Sequence, residues 1–566
     1  MGRNIYGSEI ILNSNHWFLL ALLAASSNAT AQVVTGAGGQ IQQLPPAPVP
    51  QKSIPDIRIE RRGAPVSPAP EGVGVLVRTL HVTGQTRFSE GELIAVSQFR
   101  PGATLTLSDL RRMAARITDY YSRHGYFVAQ AYLPAQEIRD GAVTIAVIEG
   151  HYDKIALQNR ARLRSGVARG VLAGLNSGDL VEGAPLERRL LLLSDLPGVG
   201  VHSTLSPGGP PGSSDLTVDL DPGRRISGDV EADNAGNRYT GAYRGGGTVN
   251  FNEPLGIGDV ASLRVLTSGE GLNYVRGSYQ AELGVATLGV AYAAFWYKLG
   301  DTFSSLDATG NEQIASVYAS YPLIRSRANN LYALADVDYR TFRDRIGLTS
   351  TVTDKRAVVG TFGFNGNHRD TLGGGGWDTY SLYGSFGDLD IQTPAARAAD
   401  AATARSNGGY AKVFVSVDRL QTLTGPLSLY ALFRGQFASK NLDISEKMEL
   451  GGAYGVRAYP EGEAYGDEGY IATAELRLAL PKPIDTLPGQ FQLFGFVDTG
   501  AVKSSKVPWF AGPNTLHRSA VGVGLNWSKP NDFLVSVSYA FKLGDARATS
   551  APDRPGIFWF QVVKFF

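Results

Sequence analysis

The chain has 566 residues, which is enough for two or more domains. Its 53 basic and 52 acidic residues leave a net charge of +1, so no bulk electrostatic attraction to nucleic acid is expected. The absence of cysteine excludes disulfides, thiolate metal sites and cysteine nucleophiles, whereas 68 glycines and 10% aromatic residues favour strands joined by tight turns.

Residues 1–31 have the pattern of a signal peptide. An apolar run of nine residues, Trp17 to Ala25, precedes the small-x-small sequence Ala29-Thr30-Ala31. Nine residues are too few to cross a bilayer as a helix, and no later segment approaches about 18 apolar residues. If the chain enters a membrane, we therefore expect it to do so as a barrel.

Residues 32–74 are predicted to form a proline-rich linker. Prolines at positions 45, 46, 48, 50, 55, 65, 68 and 70 favour extended backbone over a packed domain. We expect a spacer, with a short helix at most around Gly39 to Leu44.

Residues 75–150 have the pattern of a small α+β domain. Ser89 with Glu92 three residues later predicts the cap of a first helix, and Ser108 and Gly125 predict the cap and the stop of a second. The face of that second helix is formed by Leu110, Met113, Ile117, Tyr120 and Tyr121. The predicted order is a strand (75–84), two helices (89–99 and 108–125) and two strands (126–134 and 142–150).

A second, looser copy of this order follows over residues 151–222. Its strand, two helices and two strands are predicted at 154–158, 163–175, 185–196, 200–205 and 214–220. Repetition of a small unit before a different domain indicates a modular arm. Two ordinary α+β enzyme domains are the alternative, but neither copy shows a catalytic constellation.

Residues 223–566 are predicted to form a β-barrel. The segments DFLVSVSYAF (532–541) and GYIATAELRLAL (469–480) alternate apolar side chains with polar or small ones. One apolar and one charged face suit a membrane barrel with a wet lumen, and these 344 residues would supply roughly 16 strands. A soluble sandwich would also alternate, but FWFQVVKFF (558–566) is an aromatic last strand like those of outer-membrane barrels. We therefore predict that Phe566 is an assembly signal for the strand that closes the ring.

Patterns for catalysis are nearly absent from the sequence. The seven histidines are scattered, and the chain has neither an H-E-x-x-H motif nor a phosphate-binding loop. The sequence from Gly256 to Ala261 matches G-x-G-x-x-A, but it lies among alternating residues and is interpreted as a hairpin turn. We predict no enzyme activity, no cofactor and no metal site.

The sequence GGAYGVRAYPEGEAYGDEGY, residues 451–470, contains one cation, Arg457. It belongs to a glycine-rich insertion between Asp443 and Tyr470 that is too long for a tight turn. Arg276 in VRGSY is a rival, but that stretch continues an alternating strand. A solvated loop with an unpaired arginine is the other interpretation.

A carboxylate that could face this arginine lies in FGFVDTG, residues 494–500. If Gln492 and Asp498 face the lumen, Phe494 and Phe496 face it too, because side chains alternate along a strand. The pattern therefore predicts a carboxylate flanked by aromatic rings on the inner wall.

The order of elements in residues 75–222 resembles the POTRA domain, a periplasmic module of one superfamily of outer-membrane barrels. With the signal peptide, the linker, the barrel, the loop Val456-Arg457-Ala458-Tyr459 and the strand motif Phe496-x-Asp498-x-Gly500, the chain resembles the outer-membrane transporters of two-partner secretion, the hemolysin activation/secretion family. Ala458 stands where that family usually has glycine. Whether a plug helix precedes the POTRA-like domains stays open.

This resemblance implies a mainly β fold, a transmembrane antiparallel β-barrel of about 16 strands preceded by two small α+β POTRA domains. It also implies that the loop folds back into the lumen, where Arg457 meets Asp498. The functional loop and wall motif would then comprise Val456, Arg457, Tyr459, Phe496, Asp498 and Gly500.

The expected function is that of an outer-membrane translocase of a Gram-negative bacterium, with its POTRA domains in the periplasm. It would capture an unfolded secreted partner, a TpsA-like exoprotein, and would contact outer-membrane lipid but no nucleic acid. An adhesin, a cytolysin, a growth inhibitor and a haem-scavenging protein all stay open as the partner. Capture is expected by strand addition at an edge that presents Tyr126, Val128, Gln130 and Tyr132. The alternatives are a barrel-assembly insertase of the same superfamily and a passive diffusion porin.

Overall fold

The structure, a computed structural model, describes residues 36–49, 55–60, 74–482 and 484–566. The chain divides into one unit of residues 52–224 with 256–258 and a second unit made of the remaining residues. The predicted signal peptide lies outside the described residues. Among the helices of the described segments, none is both long and apolar enough to cross a bilayer.

The predicted linker contains a helix and a strand within its described parts, α1 (Ala37–Ile41) and β1 (Asp56–Ile59). The helix begins earlier than the one expected around Gly39 to Leu44. Ala37 and Leu44 are buried in one apolar cluster with Phe295 and other residues of the barrel unit. This part of the linker is therefore packed, because its few apolar side chains find an apolar wall.

The first α+β domain has the predicted order of elements with one short extra strand. Its strands and helices are β2 (Val75–Val77), β3 (Thr79–Thr83), α2 (Glu90–Ser97), β4 (Ala103–Leu105), α3 (Leu107–Arg123), β5 (Gln130–Tyr132) and β6 (Ala142–Ile148). Leu110, Met113, Ile117 and Tyr121 of α3 are buried, as the helical spacing predicts. They pack in one core with the buried residues of β3 and β6.

The caps of the two helices differ in how well the sequence predicts them. Ser89 caps α2 as predicted, because its Oγ accepts a hydrogen bond from Glu92 N at 3.3 Å. The predicted cap of α3 at Ser108 is wrong, since the helix begins at Leu107 with Thr106 as its cap. Thr106 and Asp109 bond reciprocally, and this capping box satisfies two backbone donors at once.

The strand predicted over residues 126–134 is wrong in its first half. Gly125, with φ of +91°, turns the chain after α3. Tyr126 N then donates to Tyr121 O at 3.0 Å, so this part of the chain is a turn. Only Gln130–Tyr132 join the sheet, whose order is β3, β6, β5 with β6 in the middle.

The second α+β domain also follows the predicted order. Its elements are β7 (His151–Asn159), α4 (Ser165–Leu172), α5 (Gly183–Ser194), β8 (Val199–Pro207) and β9 (Ser213–Pro222). The four strands of its sheet have the order β1, β8, β9, β7, and β1 pairs in parallel with β8. The linker strand therefore forms one edge of this sheet.

The predicted transmembrane barrel is confirmed as a closed antiparallel barrel of 16 strands. Its strands are β10 (Ile226–Asp233), β11 (Arg244–Asn252), β12 (Val260–Thr267), β13 (Leu272–Leu283), β14 (Ala286–Lys298), β15 (Ala308–Arg325), β16 (Asn329–Ile346), β17 (Thr351–Asp370), β18 (Gly376–Ile391), β19 (Gly408–Thr424), β20 (Leu427–Ala438), β23 (Glu468–Leu480), β24 (Gln490–Lys503), β25 (Thr515–Lys529), β26 (Phe533–Lys542) and β27 (Gly556–Phe565). Helix α6 (Pro394–Ala402) and two short strands, β21 (Met448–Glu449) and β22 (Tyr465–Gly466), lie in the connections.

Side chains alternate between the two faces of the barrel wall. On β16, Val337 and Tyr339 are 51% and 48% exposed, whereas Asp338 and Arg340 are 7% and 0% exposed. Exposed apolar side chains face lipid and buried polar ones face the interior, as membrane barrels require. The alternation therefore assigns Asp338 and Arg340 to the lumen.

The antiparallel order fixes which connections share an end of the barrel. The chain enters the barrel at Ile226, and residues 253–259 connect β11 to β12 at that entry end. The connections after β10, β20 and β26 lie at the opposite end. The segment from Gly256 to Gly258 belongs to the hairpin connection that the sequence predicts.

Candidate functional site

A long connection at the far end of the barrel folds into the lumen. This connection, the inward loop, spans residues 439–467 between β20 and β23. Val456, Ala458 and Tyr459 are fully buried in it and pack in one cluster with Phe494 and Phe496 of β24. Because Phe494 and Phe496 are buried while their strand neighbours are exposed to lipid, the tip of the loop lies against the inner wall.

Backbone conformation fixes the tip of the inward loop. Gly452 N donates to Tyr459 O at 3.0 Å, which closes the tip. Gly452 has φ of +87°, a conformation that glycine adopts without the strain that a side chain would bring, and a Cβ there would also displace the carboxylate of Glu461. Ala458 is fully buried and does not have a positive φ, so alanine is accommodated at the position where the resemblance leads us to expect glycine.

Two carboxylates of the barrel wall hold the side chain of Arg457. Its Nε and Nη2 donate to Asp498 Oδ2 and Oδ1 at 2.8 and 2.7 Å, the parallel pairing that a planar guanidinium favours. Its Nη1 donates to Glu475 Oε1 at 2.8 Å. The guanidinium carbon lies 3.4 Å from the centre of the Phe496 ring, within the range of a cation–π contact. The structure thus brings together the two charged residues that the sequence singled out.

Burial makes this ion pair energetically important. The side chain of Asp498 is fully buried and that of Arg457 is 13% exposed. Thr473 Oγ1 donates a further hydrogen bond to Asp498 Oδ1 at 2.9 Å. Removing one partner of a buried pair typically costs about 3 to 5 kcal/mol, because the other charge stays buried without compensation. The pair therefore fixes the position of the tip.

Glu475 is a functional candidate that sequence reasoning missed. Its Oε1 accepts from Arg457, and its Oε2 accepts from Arg477 Nη2 at 2.6 Å. The alternation of β23 did place Glu475 and Arg477 on the charged face. The missing information was the register, which sets Glu475 opposite Phe496 and Thr473 opposite Asp498. A guanidinium has five N–H donors, and a bidentate contact with one carboxylate uses only two of them, so a buried arginine is expected to have a second acceptor.

The other residues of the two predicted motifs surround this pair. Val456 contributes apolar packing, and the Tyr459 hydroxyl donates to Ala546 O at 2.9 Å. A Cβ on Gly500 would lie 2.7 Å from both Leu450 Cδ1 and the carbonyl oxygen of Tyr470, so glycine lets the loop approach the wall.

The closing strand of the barrel also contacts the tip. Trp559 of β27 donates from its indole Nε1 to Arg457 O at 2.7 Å, and its side chain is almost completely buried. Gln561 of the same strand donates from Nε2 to the Tyr454 hydroxyl at 3.2 Å. The tip is therefore linked to β23, β24 and β27, and β27 is the strand that meets β10 at the barrel seam.

Ion pairs fix the root of the inward loop to the lumen wall. Glu446 accepts from Arg340 Nη1 at 3.1 Å and lies 2.8 Å from Lys412 Nζ. Lys355 Nζ lies 3.5 Å from Asp443 Oδ2. All five side chains are at most 10% exposed, so these contacts are shielded from solvent.

The segment that contains α1 also lies against lumen-facing side chains. Ala37 N, in the first turn of the helix, donates to Asp344 Oδ1 at 2.8 Å. Gln42 Nε2 donates to Ile444 O at 2.8 Å in the inward loop. At the other end of the segment, Arg264 Nη2 donates to Pro45 O at 3.0 Å. The helix is thus positioned by both the wall and the inward loop.

The rival arginine has a different environment. Arg276 lies within β13, and its Nη1 donates to Ser278 Oγ at 3.3 Å on the same strand. It is a wall residue and belongs to no loop.

The residues predicted to bind the partner do not form one continuous edge. Gln130 and Tyr132 are exposed on β5, the edge strand of the first domain. Ala131 N between them donates to Thr118 Oγ1 of α3 at 2.9 Å. Tyr126 and Val128 precede the strand, and the Tyr126 hydroxyl donates to Glu182 Oε1 at 3.1 Å. Strand addition can therefore use less of this edge than the sequence predicts.

A buried carboxylate organises the first domain near that edge. Glu149 Oε1 accepts from Thr86 N, Arg87 N and the Tyr121 hydroxyl at 2.7, 2.9 and 2.7 Å. Burial raises the pKa of Glu149, but these hydrogen bonds lower it by more, so it lies below the usual range. Burial, together with the bond to Glu149, raises the pKa of the Tyr121 hydroxyl and keeps it a donor.

The predicted assembly residue is paired with the first barrel strand. Phe566 N donates to Gly228 O at 3.0 Å, and Gly228 N donates to Phe566 O at 3.1 Å.

Within the segments that the structure describes, no group of three or more metal-ligating side chains is present.

The sequence matches two family models and is similar to known outer-membrane transporters. A family model for haemolysin secretion/activation proteins ShlB/FhaC/HecB matches residues 212–525, and a model for the ShlB-type POTRA domain matches residues 75–150. The heme/hemopexin transporter protein HuxB of Haemophilus influenzae (strain 86-028NP) is 30% identical over 480 residues, which cover 84% of each chain.

A second relative and one solved structure are similar to this chain along most of their length. The outer membrane transporter CdiB of Escherichia coli O6:K15:H31 (strain 536 / UPEC) is 25% identical over 490 residues, with 81% of this chain and 80% of CdiB covered. The structure of CdiB from Escherichia coli matches with a TM-score of 0.66 at 21% identity, covering 89% of this chain and 93% of that one, and shows the same fold.

Proposed function

The chain belongs to the haemolysin secretion/activation protein family, and from this premise we propose that its inward loop is the gate of a two-partner secretion channel. The protein is an outer-membrane transporter of that system, with its POTRA domains in the periplasm and a secreted exoprotein as its partner. Family membership also sets the insertase and porin alternatives aside.

The observation that carries the gate is the fork of Arg457 on Asp498 and Glu475. The guanidinium uses three of its nitrogens on the wall, and Trp559 holds the carbonyl of the same residue. A loop fixed at its tip and at its root occupies the lumen that an unfolded chain has to cross. Passage of the partner therefore requires the tip to leave the wall.

Capture of the partner is assigned to the first α+β domain. Gln130 and Tyr132 are exposed on an edge strand, which is a template for adding an extended segment of another chain. Tyr126 and Val128 then act beside the strand, where aromatic and aliphatic side chains supply apolar contact. Phe566 is assigned to assembly of the barrel.

We propose that transport proceeds without catalysis by this chain. Its relatives are transporters, and the sequence contains no G-x-x-x-x-G-K-[ST] phosphate-binding loop of the kind that nucleotide hydrolysis uses. Folding of the partner outside the cell would then supply the drive. Of the cargo classes that the sequence leaves open, similarity to a heme/hemopexin transporter favours a haem-related exoprotein.

The test of the gate is secretion by Arg457→Ala, with Arg276→Ala as the matched control. Both variants remove one arginine from the barrel unit, but only Arg457 joins the inward loop to the wall. We expect barrel insertion in both and a strong loss of secretion in Arg457→Ala alone, because Asp498 then loses its partner and the loop loses the fixed position in the lumen that an ordered opening requires. The measurement is partner protein in the medium, normalised to barrel in the outer membrane. Normal secretion by Arg457→Ala would contradict the gate.

A further inference from the structure

Glu463, on the returning arm of the inward loop, is a second buried carboxylate with an unusual number of donors. Its side chain is fully buried. Arg518 of β25 donates to Oε1 from Nε and Nη2 at 2.9 and 2.6 Å. Thr549 N and Ser550 N donate to Oε2 at 2.9 and 3.1 Å. Hydroxyl donors add to each oxygen, Thr549 Oγ1 to Oε1 and Ser550 Oγ to Oε2, both at 3.2 Å.

The carboxylate and its donors join three separate parts of the barrel unit. Arg518 belongs to the wall, Glu463 belongs to the inward loop, and Thr549 and Ser550 belong to residues 543–555, which connect β26 to β27. A buried carboxylate is stable only when its charge and its lone pairs are satisfied. Glu463 of the inward loop thus ties residues 543–555, the outer cover, to the wall through one buried carboxylate.

The outer cover lies directly on the tip. The Tyr459 hydroxyl donates to Ala546 O at 2.9 Å, and Ala546 and Ala548 pack on the buried cluster that contains Val456 and Tyr459. Lys542, the last residue of β26 before the cover, has its Nζ 5.1 Å from the centre of the Tyr459 ring. The tip therefore has the wall on one side and the cover on the other.

The outer cover also leads into the closing strand. β27 begins at Gly556, immediately after the cover, and its Trp559 donates to the carbonyl of Arg457. A movement of the cover would consequently be transmitted to a residue that holds the gate arginine. No motif in the sequence indicates this arrangement, because Glu463 and Thr549 are 86 residues apart.

We propose that Glu463 is a positioning residue that clamps the outer cover over the tip of the inward loop. The tip can leave the wall only after the cover has lifted, so breaking the contacts of Arg457 alone does not free it. This inference rests on the proposed gate and adds a second, outer latch to it. The connection after β26 lies at the end of the barrel away from the chain's entry, so the latch faces the cell exterior.

The experiment measures opening of the cover on intact cells. Arg547 is exposed in the cover and is followed by Ala548, so cleavage after Arg547 by external trypsin reports how often the cover lifts. We expect Glu463→Ala to speed cleavage there by about tenfold or more, the effect of losing a hydrogen bond to a charged group. Glu463→Gln keeps one acceptor oxygen and should give a smaller increase. Asp545→Ala, at an exposed carboxylate in the same cover, is the matched control and should leave the rate unchanged.

A second variant guards against a failure of Glu463→Ala to insert. Thr549→Ala with Ser550→Ala removes two hydroxyl donors but leaves the Glu463–Arg518 pair intact. We expect it also to speed cleavage, by less than Glu463→Ala. Unchanged cleavage in every variant that inserts would overturn the clamp.

The experiments distinguish a failure of the proposed clamp from a failure of the proposed gate. If Arg457→Ala secretes normally while Glu463→Ala still exposes the cover, the clamp stands and the gate fails. If Arg457→Ala loses secretion while Glu463→Ala changes neither cleavage nor secretion, the gate stands and the clamp is wrong.

Discussion

Arg457 illustrates at the scale of a single residue why the gate uses a guanidinium. Its planar fork meets both oxygens of Asp498 and still offers Nη1 to Glu475. Its flat face rests on the Phe496 ring at 3.4 Å. An ammonium carries the same charge but has neither the fork nor the flat face. Geometry, and not charge alone, therefore selects arginine at this position.

The first prediction concerns this choice of side chain. Arg457→Lys keeps the charge, loses the bidentate contact and should secrete less partner than wild type but more than Arg457→Ala. The expected loss of tip stability is about 1.5 to 3 kcal/mol, the worth of a hydrogen bond to a charged group. Secreted partner per inserted barrel is the measurement. Equal secretion by the lysine variant and wild type would show that charge suffices.

At the scale of elements, the sequence predicts the helices and strands that a pattern of neighbouring residues specifies. The spacing of Leu110, Met113 and Ile117 identifies α3, and the cap at Ser89 identifies α2, because both signals lie within a few residues. The predicted edge strand is too long because Gly125 turns the chain, a tertiary effect of packing Tyr126 on α3.

Contacts between elements could be predicted from the sequence only in part. The motif residues Arg457 and Asp498 could be named because each stands out from its neighbours. Glu475 and Glu463 could not, because their roles depend on the register of β23 with β24 and on the path of the outer cover. The amino-acid composition of a short segment predicts neither the register between two strands nor the path of a long loop.

The second prediction concerns the acid stability of the first α+β domain. The pKa of Glu149 is lowered in the folded state, so its stabilisation is present at neutral pH and is lost as pH falls below about 4.3, the unfolded value. Glu149→Gln should therefore lower stability at pH 7 and flatten its decline toward acid. The measurement is hydrogen exchange of α3 amides in the full chain, corrected for the intrinsic pH dependence. Parallel declines in both proteins would refute the assignment.

At the scale of the whole molecule, closure of the barrel depends on its first and last strands. The register of β10 with β27 runs only from Asp229 opposite Phe565 to Asp233 opposite Gln561. Phe566 extends this seam through two backbone hydrogen bonds with Gly228. The seam is thus short, and its last residue contributes to it directly.

The third prediction follows from that seam. Removal of Phe566 deletes both bonds to Gly228 and should lower the amount of folded barrel in the outer membrane. Phe566→Ala keeps the backbone bonds and serves as the comparison that separates pairing from the aromatic ring. Heat-modifiable mobility in gel electrophoresis measures the folded fraction. Wild-type levels after removal would show that the residue is dispensable for assembly.

The central claim is that Arg457 and Asp498 act as one unit that positions the gate, and a double-mutant cycle tests it most directly. Secreted partner per inserted barrel is measured for Arg457→Ala, Asp498→Ala and the double variant. Because residues in direct contact do not add, the double variant should secrete little less than either single one, with a coupling of about 0.5 to 3 kcal/mol. Losses that multiply in the double variant would contradict the account, because they would mean that the two side chains act independently.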